Sequence, residues 1–172
     1  NAKVAVDKID LTFWASFPNL SVDFEKVLIS DSINSVQQTD TVLYSELIRL
    51  KFNPMDVWAG KYELKKLEVH PGTIQLKIDK NGRENYNIIK ESKEEGESKF
   101  NFKLEKVTFE NIRFVYANQV TGQTYTSLVD ELELKGEFNE KEFTLAAKSD
   151  LFVNEIKSEK IVLLKNKPAS FD

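Results

Sequence analysis

The chain has one histidine, His70, and no cysteine, so imidazole chemistry is confined to a single side chain and thiolate chemistry is absent. A zinc site takes three or four His, Cys or carboxylate ligands, which a lone histidine ahead of Pro71 and Gly72 cannot supply in the usual sets. Ser-His catalysis would rest on the same ring, and no G-x-S-x-G elbow accompanies it. No G-x-x-x-x-G-K-[ST] or G-x-G-x-x-G loop is present to cradle nucleotide phosphates. Carboxylates are plentiful, and a pair could serve glycoside hydrolysis. Asp23, Glu25, Glu63, Glu105, Glu131 and Glu133, however, each occupy the polar positions of alternating stretches, where solvation is the ordinary role. No catalytic residue, metal ligand or cofactor is assigned, and a non-enzymatic function is expected.

The bulk composition narrows the classes further. A net charge of -4 and a pI near 5.3, with lysines interleaved among acids, leave no footprint for a phosphate backbone, so nucleic acid is not an expected partner. The 172 residues suit one domain, and 41% hydrophobic content with twelve Phe, five Tyr and two Trp is globular composition. No stretch approaches the roughly 18 consecutive apolar residues of a membrane span. Beginning at Asn1 and ending NKPASFD, the chain reads as part of something longer, whose remainder could include a membrane anchor.

The elements that would position side chains are mostly strands. YELKKLEV, Tyr62 to Val69, alternates apolar and polar until Lys65 and Lys66, where the apolar positions change parity. As a helix, Tyr62, Leu64, Leu67 and Val69 would point to about 0°, 200°, 140° and 340°, which is no face. As a strand with one extra residue at Lys65–Lys66, a β-bulge, all four return to a common side; the alternative is an unbulged strand that buries one face at its start and the other at its end. The same skip recurs in VAVDKIDL from Val4, VDFEKVLI from Val22 and FKLEKVTF from Phe102, and more loosely in VLYSELIRL from Val42 and SLVDELEL from Ser127. Bulges bend and twist strands, so a sheet carrying several in line will curve.

Further strands complete an antiparallel meander. TIQLKID from Thr73 follows His70-Pro71-Gly72 and is expected to fold back on Tyr62–Val69 as a hairpin. DKNGRENYNI carries an Asn81-Gly82 turn, ANQVTGQ joins two more strands, and EFTLAAKSDLFV supplies the next. NPMDVWAG, residues 53–60, places Asn53 at an N-cap, Pro54 at the first helical position and Gly60 past the end, which spells a helix of one or two turns. Its Met55, Val57 and Trp58 are apolar enough to plug the end of a sheet. KESKEEGESK, 90–99, reads as a mobile acidic loop between an N-terminal half, 1–89, and a C-terminal half, 100–172. The fold class expected is mainly β: a curved, bulged sheet, open or taco-like, with a short capping helix.

The order of these motifs resembles the N-terminal region of the AsmA-like family of bacterial envelope proteins, related in architecture to chorein-type, bridge-like lipid-transfer proteins. Phe17-Pro18 ahead of the strand Leu20 to Ile29 resembles the family's Phe-Pro leading into its first ladder, Phe52 to Gly60 its short apolar segment ending in glycine, and the strand Tyr62 to Val69, Pro71 and the strand Thr73 to Asp79 its paired strands. Asp79, Gly82 and Asn85 resemble its Asp-x-x-Gly-x-x-Asn signature, and Phe100 to Tyr116 with Thr121-Gly122 its second ladder. Tyr86 stands where the family frequently has an indole, and the family's N-terminal membrane helix has no counterpart here.

The resemblance implies an inner-membrane-anchored, periplasmic module whose bent sheet shields phospholipid acyl chains in an apolar groove between the two membranes. Leu64, Leu67 and Val69, then Ile74, Leu76 and Ile78, then Leu104, Val107, Phe109, Ile112 and Phe114 would line it. For each residue alone, ordinary core is the competing role, because any half-buried strand alternates in this way. A second reading of the chain is an envelope scaffold that binds other proteins by strand addition at a sheet edge.

Overall fold

The computed structural model describes residues 2–13, 17–31, 40–87, 100–101, 105–138 and 143–172. They form one eleven-stranded sheet: β1 (Ala2–Ala5), β2 (Lys8–Thr12), β3 (Leu20–Asp31), β4 (Asp40–Phe52), β5 (Tyr62–Val69), β6 (Gly72–Ile78), β7 (Phe100–Asn101), β8 (Lys106–Asn118), β9 (Gln123–Phe138), β10 (Phe143–Ser158) and β11 (Ile161–Phe171). One helix, α1 (Pro54–Trp58), joins β4 to β5. The class is the expected one: mainly β, a curved, bulged meander with a single short helix. The segments 88–99 and 102–104, which contain the predicted acidic loop and Leu104, lie outside the described residues.

The expected hairpin between β5 and β6 does not form. Both strands run antiparallel to β4, with Ile48 opposite Val69 and Ser45 opposite Gly72, and both run parallel to β8, with Val69 opposite Phe109 and Gly72 opposite Ile112. The register against each neighbour is the same on the two sides of His70-Pro71, so β5 and β6 are one strand line with a break. Pro71 has no N–H to give, and a ladder tolerates it only where pairing is interrupted. The neighbouring backbone groups are still served: Glu46 N–H donates to the Pro71 carbonyl and His70 N–H to the Leu47 carbonyl, both at 2.9 Å. Two antiparallel ladders, β1 to β6 and β8 to β11, are thus fused by parallel pairing along β5/β6 and β8.

That break is one point on a line crossing the sheet. Reading the registers outward places Pro71 opposite Glu46, Glu46 opposite Lys26, and Lys26 opposite Asp7 in the gap between β1 and β2. In the other direction Pro71 faces Asn111, which faces Asp130, the extra residue where β9 slips against Asp150 and Leu151 of β10. Lys26 (φ 50°) and Asn111 (φ 53°) hold the left-handed conformation, rare for side-chain-bearing residues inside a strand. On β10 and β11 the interruption steps along the strands to Asn154, an extra residue against β9, and to Asn166 opposite it, with φ 52°. At the line the backbones crowd together: a Cβ on Gly72 would stand 2.1 Å from the Tyr44 carbonyl oxygen. The Ser45 hydroxyl lies 3.0 Å from the carbonyls of both Leu47 and His70, filling the gap in the ladder.

The line explains the parity changes in the sequence. Before it the apolar columns read Phe24, Ile48, Val69, Phe109, Leu132; beyond it they read Ile29, Leu43, Ile74, Phe114. In perfect strands these sets would point to opposite faces. Instead Val69 packs with Ile112 and Val129, and Leu43, Ile48, Leu67, Ile74, Phe109, Phe114, Leu132 and Leu151 gather on that cluster from both sides. The predicted bulge at Lys65 is present as a separate, nearby feature: Lys66 faces Lys51 while Leu64 faces Phe52, leaving Lys65 unpaired with β4.

Beyond Ile74, β6 outruns its β4 partner, and the Asp79-to-Asn85 turn folds back to replace it. The buried Asn85 side chain accepts from Lys77 N–H at 2.8 Å and donates to the Gln75 carbonyl at 3.0 Å. Asp79 holds the turn by accepting from the N–H groups of Asn81 and Arg83, at 2.7 and 3.0 Å.

Two stability tests follow. Asn111→Val, which cannot hold a left-handed φ cheaply, is expected to lower unfolding free energy by about 1–2 kcal/mol, whereas Asn111→Gly should change it by less than about 0.5 kcal/mol. Asn85→Ala leaves two backbone groups of β6 without partners and is expected to cost about 1–3 kcal/mol. Urea titration followed by circular dichroism measures all three.

Candidate functional site

The candidate site is the apolar face itself. Of the residues the sequence assigned to it, Leu64, Val69, Val107 and Ile112 are buried by their sheet neighbours and serve as core. Leu67, Ile74, Leu76, Ile78, Phe109 and Phe114 are half-buried and carry the accessible part of the face. Leu67, Val69, Ile74, Phe109, Ile112 and Phe114 come together in one cluster. Leu64, opposite Phe52, and Leu76, opposite Tyr116, extend the same columns toward the strand ends. Sequence reasoning missed Leu43 and Ile48 of β4, Val129 and Leu132 of β9 and Leu151 of β10, although the parity change in VLYSELIRL and SLVDELEL marks the first four. Among the described residues no second layer covers this face, since every strand belongs to the one sheet.

The helix does not plug the sheet end. Asn53 caps α1 by accepting from Met55 N–H at 2.9 Å, and Ala59 and Gly60 N–H groups close its far end on the carbonyls of Met55 and Val57. Gly60, at φ 76°, then turns the chain directly into β5. With so few residues the helix lies beside β5 and buries none of them: Val57 is half-buried, while Met55 and Trp58 stand in solvent.

The opposite face, on the β2 side of the line, is a ladder of ion pairs. Arg49 of β4 grips Asp23 of β3 with two hydrogen bonds, 2.8 and 2.6 Å, and Lys51 meets Glu68 at 2.5 Å. Lys65 spans Glu63 and Glu105 at 3.4 and 3.2 Å, Lys8 reaches Glu25 at 3.6 Å, and Glu133 bridges Lys106 and Lys135. His70 Nδ1 lies 3.3 Å from Glu110 and its Nε2 3.7 Å from Glu68. The acids considered for hydrolysis are therefore spent largely on cross-strand cations, Glu131 excepted; it lines a shallow polar cleft with Glu133, Lys135, Lys148, Ser149 and Asp150. Among the described residues no group of three His, Cys, Asp or Glu could hold a metal ion.

These pairs fix protonation states. The hydrogen bonds from Arg49 hold the Asp23 carboxyl below its ordinary range, against the opposing effect of its burial. Those from Lys106 and then Lys135 hold Glu133 down to about 2. Compared with known proteins, the chain matches no family model and no curated protein.

A carboxyl whose folded pKa is depressed stabilises the fold above its unfolded pKa and loses that contribution as pH falls through the folded value. The melting temperature is thus expected to fall on acidification from about pH 5 to pH 2. Arg49→Met should lower it at neutral pH and flatten the acid limb, as read by thermal denaturation across that range.

Proposed function

We propose that this chain is a non-catalytic lipid-binding module that shields phospholipid acyl chains on the apolar face of its bent sheet. The observation that carries the reading is that apolar side chains from both halves of the strands pack onto one face, and no second layer of described residues covers it. Burial of acyl chain is worth about 0.8 kcal/mol per CH₂, so a fourteen-carbon chain crossing water faces a cost on the order of 11 kcal/mol. A trough that covers even part of the chain lowers that barrier steeply. The resemblance to AsmA-like proteins supplies the setting proposed here: a periplasmic module, tethered to the inner membrane, passing lipid toward the outer one.

A second reading, an envelope scaffold working by strand addition, draws on β11. It pairs with β10 alone among the described strands, and all eleven of its residues are exposed, with Ile161 to Leu164 in an apolar run.

A photocrosslinker at Leu76, on the apolar face, and one at the exposed Gln75 separate the two. Lipid adducts at Leu76 and none at Gln75, with phospholipid extracted from the natively purified protein, are the result expected. Protein adducts along Ile161 to Leu164 without lipid at Leu76 would replace the trough by the scaffold.

A further inference from the structure

The apolar face changes chemistry toward the strand ends beyond the line. Leu76 faces Tyr116, and Tyr116 faces Tyr125. The Asp79-to-Asn85 turn returns the chain along β6, with Glu84 beside Ile78 and Asn85 N–H on the Lys77 carbonyl, so Tyr86 follows beside Leu76. Three tyrosines thus share one row with Leu76. Contacts fix the side on which they stand: Tyr125 meets the ring of Phe114, a member of the apolar cluster, edge-to-face at 5.7 Å. Asn118, two residues past Tyr116, donates to the Tyr116 hydroxyl at 3.4 Å. Partial burial, then a hydrogen bond with Glu84, pushes the Tyr86 phenol above its ordinary pKa, and Tyr116 is near enough to add to the shift. The next row on this side is Ile78, Asn118, Gln123 and Ser158, apolar at Ile78 alone.

We propose that the tyrosine row marks where the glycerol-ester region of a bound phospholipid lies, with the acyl chains running from it toward the line of interruptions. The inference rests on the lipid-binding reading and adds the lipid's orientation. A phenol carries an apolar ring and a polar tip, and at a membrane such side chains concentrate where hydrocarbon gives way to the headgroup layer. The face repeats that order: Ile74 and Phe114, then the tyrosines, then amides and a hydroxyl. Donors are available there. The Tyr125 hydroxyl has no hydrogen-bond partner among the described residues, and the Tyr116 hydroxyl, accepting from Asn118, keeps its own hydrogen to give. Neither row contains a base, so the ester carbonyls rather than the phosphate are the groups held. Polar side chains nearer the line do not compete, because Ser45, Ser127 and Ser149 are 0%, 1% and 2% exposed. At the other end of the strands Lys65 is spent on Glu63 and Glu105, and the row inside it, Leu50, Leu67, Val107 and Leu134, offers no donor.

The test uses the whole chain and two photoreactive phosphatidylcholines, one with a diazirine beside the ester carbonyl and one with it at the methyl end of the acyl chain. Labelled residues are mapped by mass spectrometry. The first probe is expected at Leu76, Tyr116 and Tyr125, and the second nearer the crossing or past it, at Phe109 and Leu132. A second measurement reads the hydrogen bonds: the chain is incubated with vesicles of equal diester and diether phosphatidylcholine, repurified, and its bound lipid counted. Ether lipids lack the ester carbonyls, so the diester form is expected in roughly fivefold excess. Tyr116→Phe with Tyr125→Phe keeps both rings and should bring the two lipids to parity. Tyr44→Phe, whose hydroxyl bonds Glu46 on the opposite face, should leave the excess in place. Equal recovery of the two lipids by the unaltered chain, or methyl-end label at the tyrosines with ester-side label past the crossing, overturns the orientation while leaving lipid on the face. No label on the face from either probe removes the trough, and the orientation with it.

Discussion

The constraint on which this sheet depends is the alignment of its interruptions. A strand with apolar residues at Phe24 and then at Val27, or at Phe109 and then at Ile112, has to rotate its side chains between them or expose half of them. One strand doing so alone would lose its pairing with both neighbours. Here the neighbours interrupt at the same place, from Asp7 through Lys26, Glu46, Pro71 and Asn111 to Asp130. Because opposed residues are skipped together, the register survives the crossing in most pairs, and the cost is confined to a few left-handed residues and a proline. Ile112, just past the line, is 2% exposed, and Val69, just before it, is 3% exposed. The crossing is thus also where the apolar cluster gathers, Val69, Ile112 and Val129 at its centre with apolar neighbours from both sides.

The ion-pair face answers a problem that a single-layer sheet creates. With both faces open to solvent, a slip of one residue would transpose every side chain to the wrong side. Asp23–Arg49 and Lys51–Glu68 on one face, against Val22–Leu50 and Leu50–Leu67 on the other, make such a slip place charges among apolar neighbours. Exposed pairs of this kind contribute little stability individually. Their effect here is on register, and Arg49–Asp23, bidentate and largely screened from solvent, is the one that also holds two strands tightly.

Much of this was legible in the chain because period two and its lapses are local signals. Lys65 as a bulge, the Asn53 cap, the 119–122 connection and the Asp79–Asn85 turn each follow from neighbouring residues. His70-Pro71-Gly72 was misleading because its letters spell a turn, whereas its role is set by Glu46 and Asn111 on other strands. Asn111 itself sits in FENIRF without Gly or Pro to announce a positive φ; only the change from Val107 and Phe109 to Ile112 and Phe114 gives it away. The exposure of Met55 and Trp58 was illegible for the opposite reason. Apolar letters beside a sheet suggest burial, but a helix as short as α1, capped at both ends, returns the chain before its outer face reaches any partner.

The line of interruptions also decides what can grow. It runs across the strands, so the bent face extends along the direction in which strands are added, while its cross-section is set by the strand segments on either side. From Asn111 to Asn118 that is seven steps along the strand, at about 3.3 Å each roughly 23 Å, comparable to the reach of an extended acyl chain. Among the described strands the hydrogen-bonding edge is open at β11, where Ile161 to Leu164 precede a left-handed Asn166 and a Pro168 that discourage indiscriminate pairing. A strand added beside the first four would inherit the apolar column of Leu164, which faces Ile156, without any change in the cross-section. Length and width are therefore independent in this architecture: strand number sets one, and the distance from the crossing to the strand ends sets the other.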